Sequence, residues 1–526
     1  MSMTHEAPTP RPTVSDRLSP AGVAGVALFA TLIALQPPVS LRAQVDPVLG
    51  DNYQRLVIRG ATLIDGTGGP PVGPRDVVVE GGRIVDIVRA GAGTGDRVLE
   101  AGGKYVLPGI IDAHTHLGDE GVPDDYIPKL WLAHGVTTVR VFSGTGADDP
   151  AVRLARAQRE GAAPFDAPRI VVYPFWRGDD PRFWDPDRAR EVVREWKAAG
   201  HDGIKISGKP GLLPDMLPVI ADEAARQGMG VAVHIGQDGV YPMNAVAVAA
   251  TGITTIEHHY GYPEATFAHR GMQDLPADHD YGDELKRFRS TGRVWDETDS
   301  DRLYGPVLDT LLRLSREGRF TMVPTFSVYE DQTDLSRAKS LPWLERYTWP
   351  SVMERWTPNP EVHGSFYFEW TSADEAAWSR LFIRWLPWVN QFKNRGGHVA
   401  VGSDTGTSYH LYGFGTIREL ELMQRAGFHP LEIVKAATQE SARAVGLEGV
   451  GVIRPGYEAD LLVLDENPLE DFKVLYGTGA ARSTPDGVAS TVHGLRYTIV
   501  DGKVMDARAI LEEVARMVEA ARRAVS

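Results

Sequence analysis

His114 and His116 stand two positions apart in the run Asp112-Ala113-His114-Thr115-His116. Residues so spaced on an extended strand point to the same face, so the run sets two imidazoles side by side, a pairing suited to binding a metal ion. Four further residues of ligating type occur in strand-like surroundings: Lys205, His234, His258 and Asp404. The chain has no cysteine. That removes disulfides, thiolate nucleophiles and sulfur-ligated metals, and leaves any ion to nitrogen and oxygen donors.

Alternation along the flanking runs sorts these residues by face. In Gly203-Ile204-Lys205-Ile206-Ser207 the isoleucines face one way and Lys205 the other. In Val231-Ala232-Val233-His234 the valines oppose His234, and in Val399-Ala400-Val401-Gly402-Ser403-Asp404 they leave Ala400, Gly402 and Asp404 inward. Beside the two histidines, Ile111 and Ala113 are expected to turn toward surrounding helices. The run from Thr254 to His259 leaves open whether His258 or His259 is the inward one. Each residue alone has an ordinary role: a core histidine, Asp404 as a helix cap, Lys205 as a lysine with a buried stem. Six donors converging at strand ends are hard to obtain from packing alone.

The elements that must position them alternate between apolar strands and helical patterns. Strands are expected at 106–112, 137–142, 169–173, 203–207, 230–234, 254–258, 320–325 and 398–403, and the first six recur at the roughly thirty-residue spacing of a βα unit. Eight such units make an α/β fold, a (β/α)8 TIM-like barrel over 107–445, whose active site lies at the carboxyl ends of its strands. Insertions at 260–319 and 326–371 follow strands six and seven. In or just after them lie eight of the twelve tryptophans, Trp295, Trp343, Trp349, Trp356, Trp370, Trp378, Trp385 and Trp388, either as an aromatic lid over a substrate pocket or as a satellite core. Short strand-like runs at 55–106 and 446–506 point to one small β-sandwich domain formed from both chain ends. Residues 507–526 close the chain as an amphipathic helix.

His114-Thr115-His116, Ile204-Lys205-Ile206, His234, Ile256-Glu257-His258 and Gly402-Ser403-Asp404 together resemble the amidohydrolase superfamily, in particular its binuclear prolidase-like and imidazolonepropionase-related members. The flanks Gly135 to Arg140 and Ala459 to Leu464 agree, and the similarity runs from about residue 55 to 506. The resemblance implies two divalent metal ions, zinc by donor type with manganese or cobalt as alternatives. His114, His116 and Asp404 would hold one and His234 and His258 the other, with Lys205 carboxylated on its amine as the bridge. It further implies an attacking hydroxide between metals about 3.5–4 Å apart, with Asp404 as the catalytic proton shuttle. The expected reaction is cleavage of an amide bond in a small substrate, a dipeptide such as Xaa-Pro or an N-acyl amino acid. A lactone or phosphotriester hydrolase, a deaminase and a non-catalytic binding protein are the alternatives. Two departures bear on the pocket: strand two continues Arg140-Val141-Phe142 where relatives more often place an acidic residue after the arginine, and Lys209-Pro210 interrupts a stretch that is usually glycine-rich. Tyr173, Tyr241 and His259 lie near the right strand ends, and no residue is assigned to substrate binding.

A net charge of -15 over 526 residues would repel nucleic acid or anionic lipid over most of the surface, so the expected partner is a small molecule or peptide. A homo-oligomer is compatible with this. At the start of the chain Arg11 and Arg17 precede the apolar run from Ala21 to Leu35, shorter than the roughly 20 residues a membrane helix needs. Ala43 suits cleavage. The segment 1–43 reads as a signal peptide, and the protein as periplasmic or secreted, with membrane attachment only if the segment is retained.

Overall fold

The computed structural model describes residues 49–525 except 119–120, 145, 147, 268–274, 362–365 and 408; the leader expected at 1–43 lies outside the described residues. Aliphatic runs broken by glycine-rich turns give β1 (Leu56–Leu63), β2 (Val72–Glu80), β3 (Arg83–Arg89), β4 (Arg97–Glu100) and β5 (Tyr105–Pro108). A parallel series follows: β6 (Ile110–His116), β7 (Val136–Ser143), β8 (Arg169–Trp176), β9 (Gly203–Ser207), β10 (Gly230–His234), β11 (Thr255–Glu257) and β12 (Thr321–Val323). The chain ends with β13 (Leu461–Leu464), β14 (Ala480–Ser483), β15 (Ala489–Val492), β16 (Leu495–Val500), β17 (Lys503–Asp506) and a helix at Ala507–Val525.

Both chain ends build one sheet, in the order β17-β16-β13-β5-β1-β2-β3 with β4 also on β1. The join is antiparallel, with Val106 opposite Val463 and Leu107 opposite Leu462. Period-two alternation splits these pairs between two cores. Val106 and Val463 pack with Leu56, Ile58, Val77 and Ile499 in the small domain's own core, whereas Leu107 and Leu462 join the large core that surrounds the barrel.

The parallel series forms a seven-stranded sheet in sequence order from β6 to β12. Residues 398–405 close the gap between its ends by isolated bridges rather than a continuous strand, Met322 with Val399 and Thr115 with Thr405. Hydrogen bonds still run to both neighbours: Ala400 N donates to Met322 O at 2.9 Å, and Asp404 N to His114 O at 2.7 Å. The expected eighth strand is therefore present as a connection without a regular ladder. A Cβ at Gly402 would lie 2.5 Å from Val323 Cγ1 and 2.7 Å from His114 Cβ, so only glycine lets the closing segment come this near.

The first barrel strand differs from expectation. Residues 105–108 belong to the small-domain sheet, and the barrel strand begins at Ile110. The handover falls at Gly109, where a Cβ would meet Thr137 Oγ1 at 2.0 Å. The register of β6 on β7 then shifts between Asp112 and Thr115. Ile111 and Ala113 pack with Ala442 and Ala444 of the helix Ser441–Ala444, as expected of residues turned toward helices, and with Val323 and Ala400.

The insertions carry helices of their own, including Glu284–Val294, Leu308–Arg316 and Phe326–Glu330, before the long helix Ser372–Asn394. That last helix starts at a capping box between Thr371 and Asp374. It buries Trp378, Trp385 and Trp388 completely.

Candidate metal centre

β6 delivers His114 and His116 to the carboxyl-terminal rim, and the closing segment delivers Asp404 between them. His116 Nε2 lies 2.9 Å and His114 Nε2 3.3 Å from Asp404 Oδ1. One donor atom from each of the three falls within 4.8 Å of the others. Lys205, from β9, brings its Nζ to 3.4 Å from His114 Nε2. The His234 and His258 rings stand 4.6 Å apart, and His258 lies 4.7 Å from His114 and, through Nδ1, 3.8 Å from Asp404 Oδ2. All six residues named from the sequence thus line one cavity.

The alternation left open at β11 is resolved by the backbone. Thr255 and Glu257 point into the barrel, where the Arg140 guanidinium reaches both, at 3.0 Å and 2.8 Å. Strict alternation would next send His259 inward. Instead His258 adopts φ +66°, a left-handed conformation that reverses the side-chain sequence. His258 therefore faces the centre, and His259 is buried outside it, accepting a hydrogen bond from Trp295 Nε1 and packed against Trp378 and Trp385. Thr325 and Asp404, at the ends of the next two barrel segments, also have positive φ, +53° and +56°.

Glu257 and Arg140 are the residues that the sequence reading did not assign. Glu257 Oε2 lies 2.5 Å from His114 Nδ1. A carboxylate on one ring nitrogen fixes the tautomer and leaves Nε2 with its lone pair toward the pocket, the arrangement that orients metal-binding histidines. Thr325 Oγ1 serves His258 in the same way, 2.7 Å from its Nδ1. The signal in the sequence was a charged residue on each of two buried strands, which burial tolerates only in pairs.

Electrostatics hold His234 and His258 as neutral imidazoles beside an anion. Desolvation, reinforced by Lys205, holds His234 down at about 3, and burial with the neighbouring histidines takes His258 well below its ordinary value. Burial pushes the Asp404 carboxyl up, but His114, His116 and His258 outweigh it and keep it ionised well below the usual range. Glu257 is likewise held at about 2: Arg140 and His114 overcome its burial. Burial lowers Lys205 to about 8. Its amine lies 3.9 Å from the centre of the Phe142 ring, and among the described residues no carboxylate comes within ion-pairing distance of it. Nitrogen and oxygen donors of this kind fit a divalent ion such as zinc.

The cavity over the centre measures about 500 Å³, and its aromatic lining is Phe175, Tyr260, Tyr281, Phe288, Tyr329, Phe366 and Tyr367. None of the eight tryptophans of the insertion region lines it. Trp295, Trp356, Trp378, Trp385 and Trp388 are buried in the main core, and Trp356 also borders a second cavity that opens beside His116. Tyr173 is enclosed in the barrel against Gly203 and Gly230, and Tyr241 is exposed.

Comparison with known proteins places these observations in context. Residues 105–272 and 388–505 match the amidohydrolase family. The chain is similar to ochratoxinase of Aspergillus niger, 25% identical over 532 residues that cover 88% of this chain and 91% of the relative. It is 49% identical over 128 residues to N-acyl-D-glutamate deacylase of Alcaligenes xylosoxydans xylosoxydans, covering 22% of this chain and 25% of that one. Among solved structures, a Xaa-Pro dipeptidase with bound methionine in its active site shares the fold at a TM-score of 0.57 and 19% identity, over 86% of this chain and all of that one (100%).

Proposed function

The chain belongs to the amidohydrolase family and is a hydrolase of carbon–nitrogen bonds, and from that premise we propose that it cleaves the amide bond of a small N-acyl amino acid or dipeptide. The observation that carries this reading is the convergence of His114, His116 and Asp404 within 4.8 Å of one another, with the amine of Lys205 3.4 Å from His114 beside them. The full-length similarity to ochratoxinase and the partial one to a deacylase of N-acyl amino acids support the substrate class.

In this reading His114, His116 and Asp404 would hold one divalent ion, zinc by donor type, and His234 and His258 a second. Lys205 would contribute a further anionic ligand once its amine had added carbon dioxide, a reaction open only to the neutral amine that burial favours. When bound, such ions supply Lewis acidity and a water acidified toward neutral pH. Glu257 and Thr325 keep two of the imidazoles in ligating orientation. Asp404, ionised and in contact with His114 and His116, takes the proton of the attacking water on its carboxylate and returns it to the departing nitrogen. The aromatic walls of the insertions exclude bulk water from the amide. We propose also that the protein is exported, on the strength of residues 1–43.

The test is turnover by purified, metal-loaded protein on one panel of N-acyl amino acids and dipeptides, run beside lactones, phosphotriesters and amino-purines. Cleavage of the first group, abolished by chelation and restored by zinc, is expected. Preference for any of the other groups would replace this reading.

A further inference from the structure

The cavity over the metal centre contains one cationic side chain for which the chemistry above has no use. Arg287 sits on the helix Glu284–Val294, in the insertion after β11. Among the described lining residues the only lysine or arginine side chains are Lys205 and Arg287. The backbone around Arg287 is well held: its carbonyl accepts from Gln237 Nε2 at 3.3 Å and Thr291 Oγ1 at 2.9 Å. The guanidinium is held only by an ion pair to Glu284 one turn back, at 3.6 Å and beyond hydrogen-bond distance, and the buried Nε makes no hydrogen bond. A guanidinium carries five N–H donors in a planar fork that matches a carboxylate, and a buried donor without a partner is costly unless a ligand satisfies it. The next residue, Phe288, stacks on Phe366 at 3.7 Å, both in the cavity wall, so a flat apolar surface lies next to the guanidinium.

We propose that Arg287 anchors a free carboxylate on the substrate while the Phe288 and Phe366 wall takes a flat ring, so that the preferred substrates are N-acyl amino acids bearing an aromatic group and an unblocked α-carboxylate. The inference rests on the amide-hydrolase reading for its acyl bond, but recognition of the anion is a property of Arg287 and can be measured apart from turnover. Arg287 touches the substrate far from the scissile bond, so its loss falls on binding.

The experiment uses the full, metal-loaded chain and calorimetric titration with N-benzenesulfonyl-phenylalanine and its methyl ketone analogue, two probes in which a sulfonamide replaces the scissile amide and which differ in whether the terminal group is charged. The wild type is expected to bind the acid about ten-fold or more tightly than the methyl ketone, as a charged hydrogen-bonded pair would require. Arg287→Met should bring that ratio to about one with metal content and melting temperature unchanged, and Arg287→Lys should retain part of it. Turnover of N-benzoyl-phenylalanine is followed in parallel, where Arg287→Met should raise KM and leave kcat near wild type. A wild-type ratio near one, or a ratio that survives in Arg287→Met, overturns the proposal; in the latter case the carboxylate is held elsewhere, for example beside Arg177 and Lys209 in the adjoining cavity. Arg287-dependent binding with no amide turned over would leave this inference standing and overturn the proposed reaction instead.

Discussion

Glu257 grips His114 by Nδ1 at 2.5 Å, on the ring edge opposite the Nε2 that lies 3.3 Å from Asp404. The same carboxylate takes Arg140 on its other oxygen at 2.8 Å, with both side chains fully buried. A ligand's orientation is thus set by an ion pair inside the barrel, one step away from the pocket.

Replacing Glu257 by Gln should therefore weaken metal binding by about 10- to 100-fold, the usual cost of losing an orienting carboxylate. It should also destabilise the fold by about 3–5 kcal/mol, because Arg140 is left as an uncompensated buried charge. Chelator competition measures the first effect and denaturant unfolding the second. Unchanged metal affinity would reduce Glu257 to a purely structural part.

Lys205→Ala removes that further anionic ligand while leaving the three-residue cluster of His114, His116 and Asp404 intact. Metal analysis should fall from two ions per chain to one or fewer, with activity down at least about 100-fold as the transition state loses one of its electrostatic supports. Full activity with full metal content in this variant would show that the site is not binuclear through Lys205.

Glu419, which is not itself a metal ligand, provides a pH dependence of stability. Fully buried, it accepts hydrogen bonds from Phe326 N at 2.9 Å and Ser327 N at 2.7 Å, just past Thr325. Burial raises its pKa from 4.5 to about 8. The folded state therefore holds a proton that the unfolded state has released over that window. The associated stability is complete below about pH 4.5 and is lost as pH rises through about 8, at no more than about 1.4 kcal/mol per pH unit. Chemical denaturation from pH 5 to pH 8 should show this slope in the wild type and a shallower one in Glu419→Gln.

Gly402→Ala should be costly out of proportion to one methyl group. The added Cβ meets Val323 Cγ1 at 2.5 Å and His114 Cβ at 2.7 Å, so the closing segment must retreat from β6. Overpacking of this kind costs about 1–3 kcal/mol, and here it also pulls Asp404 from its partner histidines. A lowered melting temperature together with lost metal is the expected result; a stable variant with intact metal would mean that the barrel closes with more slack than its geometry shows.

The parts of this site legible in the sequence were those that follow strand periodicity. Lys205, His234 and Asp404 lie on runs whose valines and isoleucines mark the opposite face, and the metal-facing side could be read from them directly. His258 could not be separated from His259, because a single left-handed residue inverts the alternation. The start of β6 is hidden because Val106 to Ile111 form one apolar run, which two sheets divide at Gly109. Arg140 and Glu257 are visible as charges on buried strands, but their pairing is a contact across the barrel that no local pattern encodes. The insertions were the least legible. Their tryptophans drew attention, yet these are mostly core, and the cavity is faced by phenylalanines, tyrosines and Arg287 on helices whose placement depends on packing over the whole rim.

Among the described residues, five that are not glycine have positive φ, and three of them, His258, Thr325 and Asp404, sit together at the mouth of the barrel. A left-handed backbone costs a side-chain-bearing residue about 1–2 kcal/mol, and glycine almost nothing. Glycine at these three positions would relieve that strain and give a sturdier, inert barrel. The histidine, threonine and aspartate there hold a ligand, its orienting partner and a proton acceptor in place at the expense of durability.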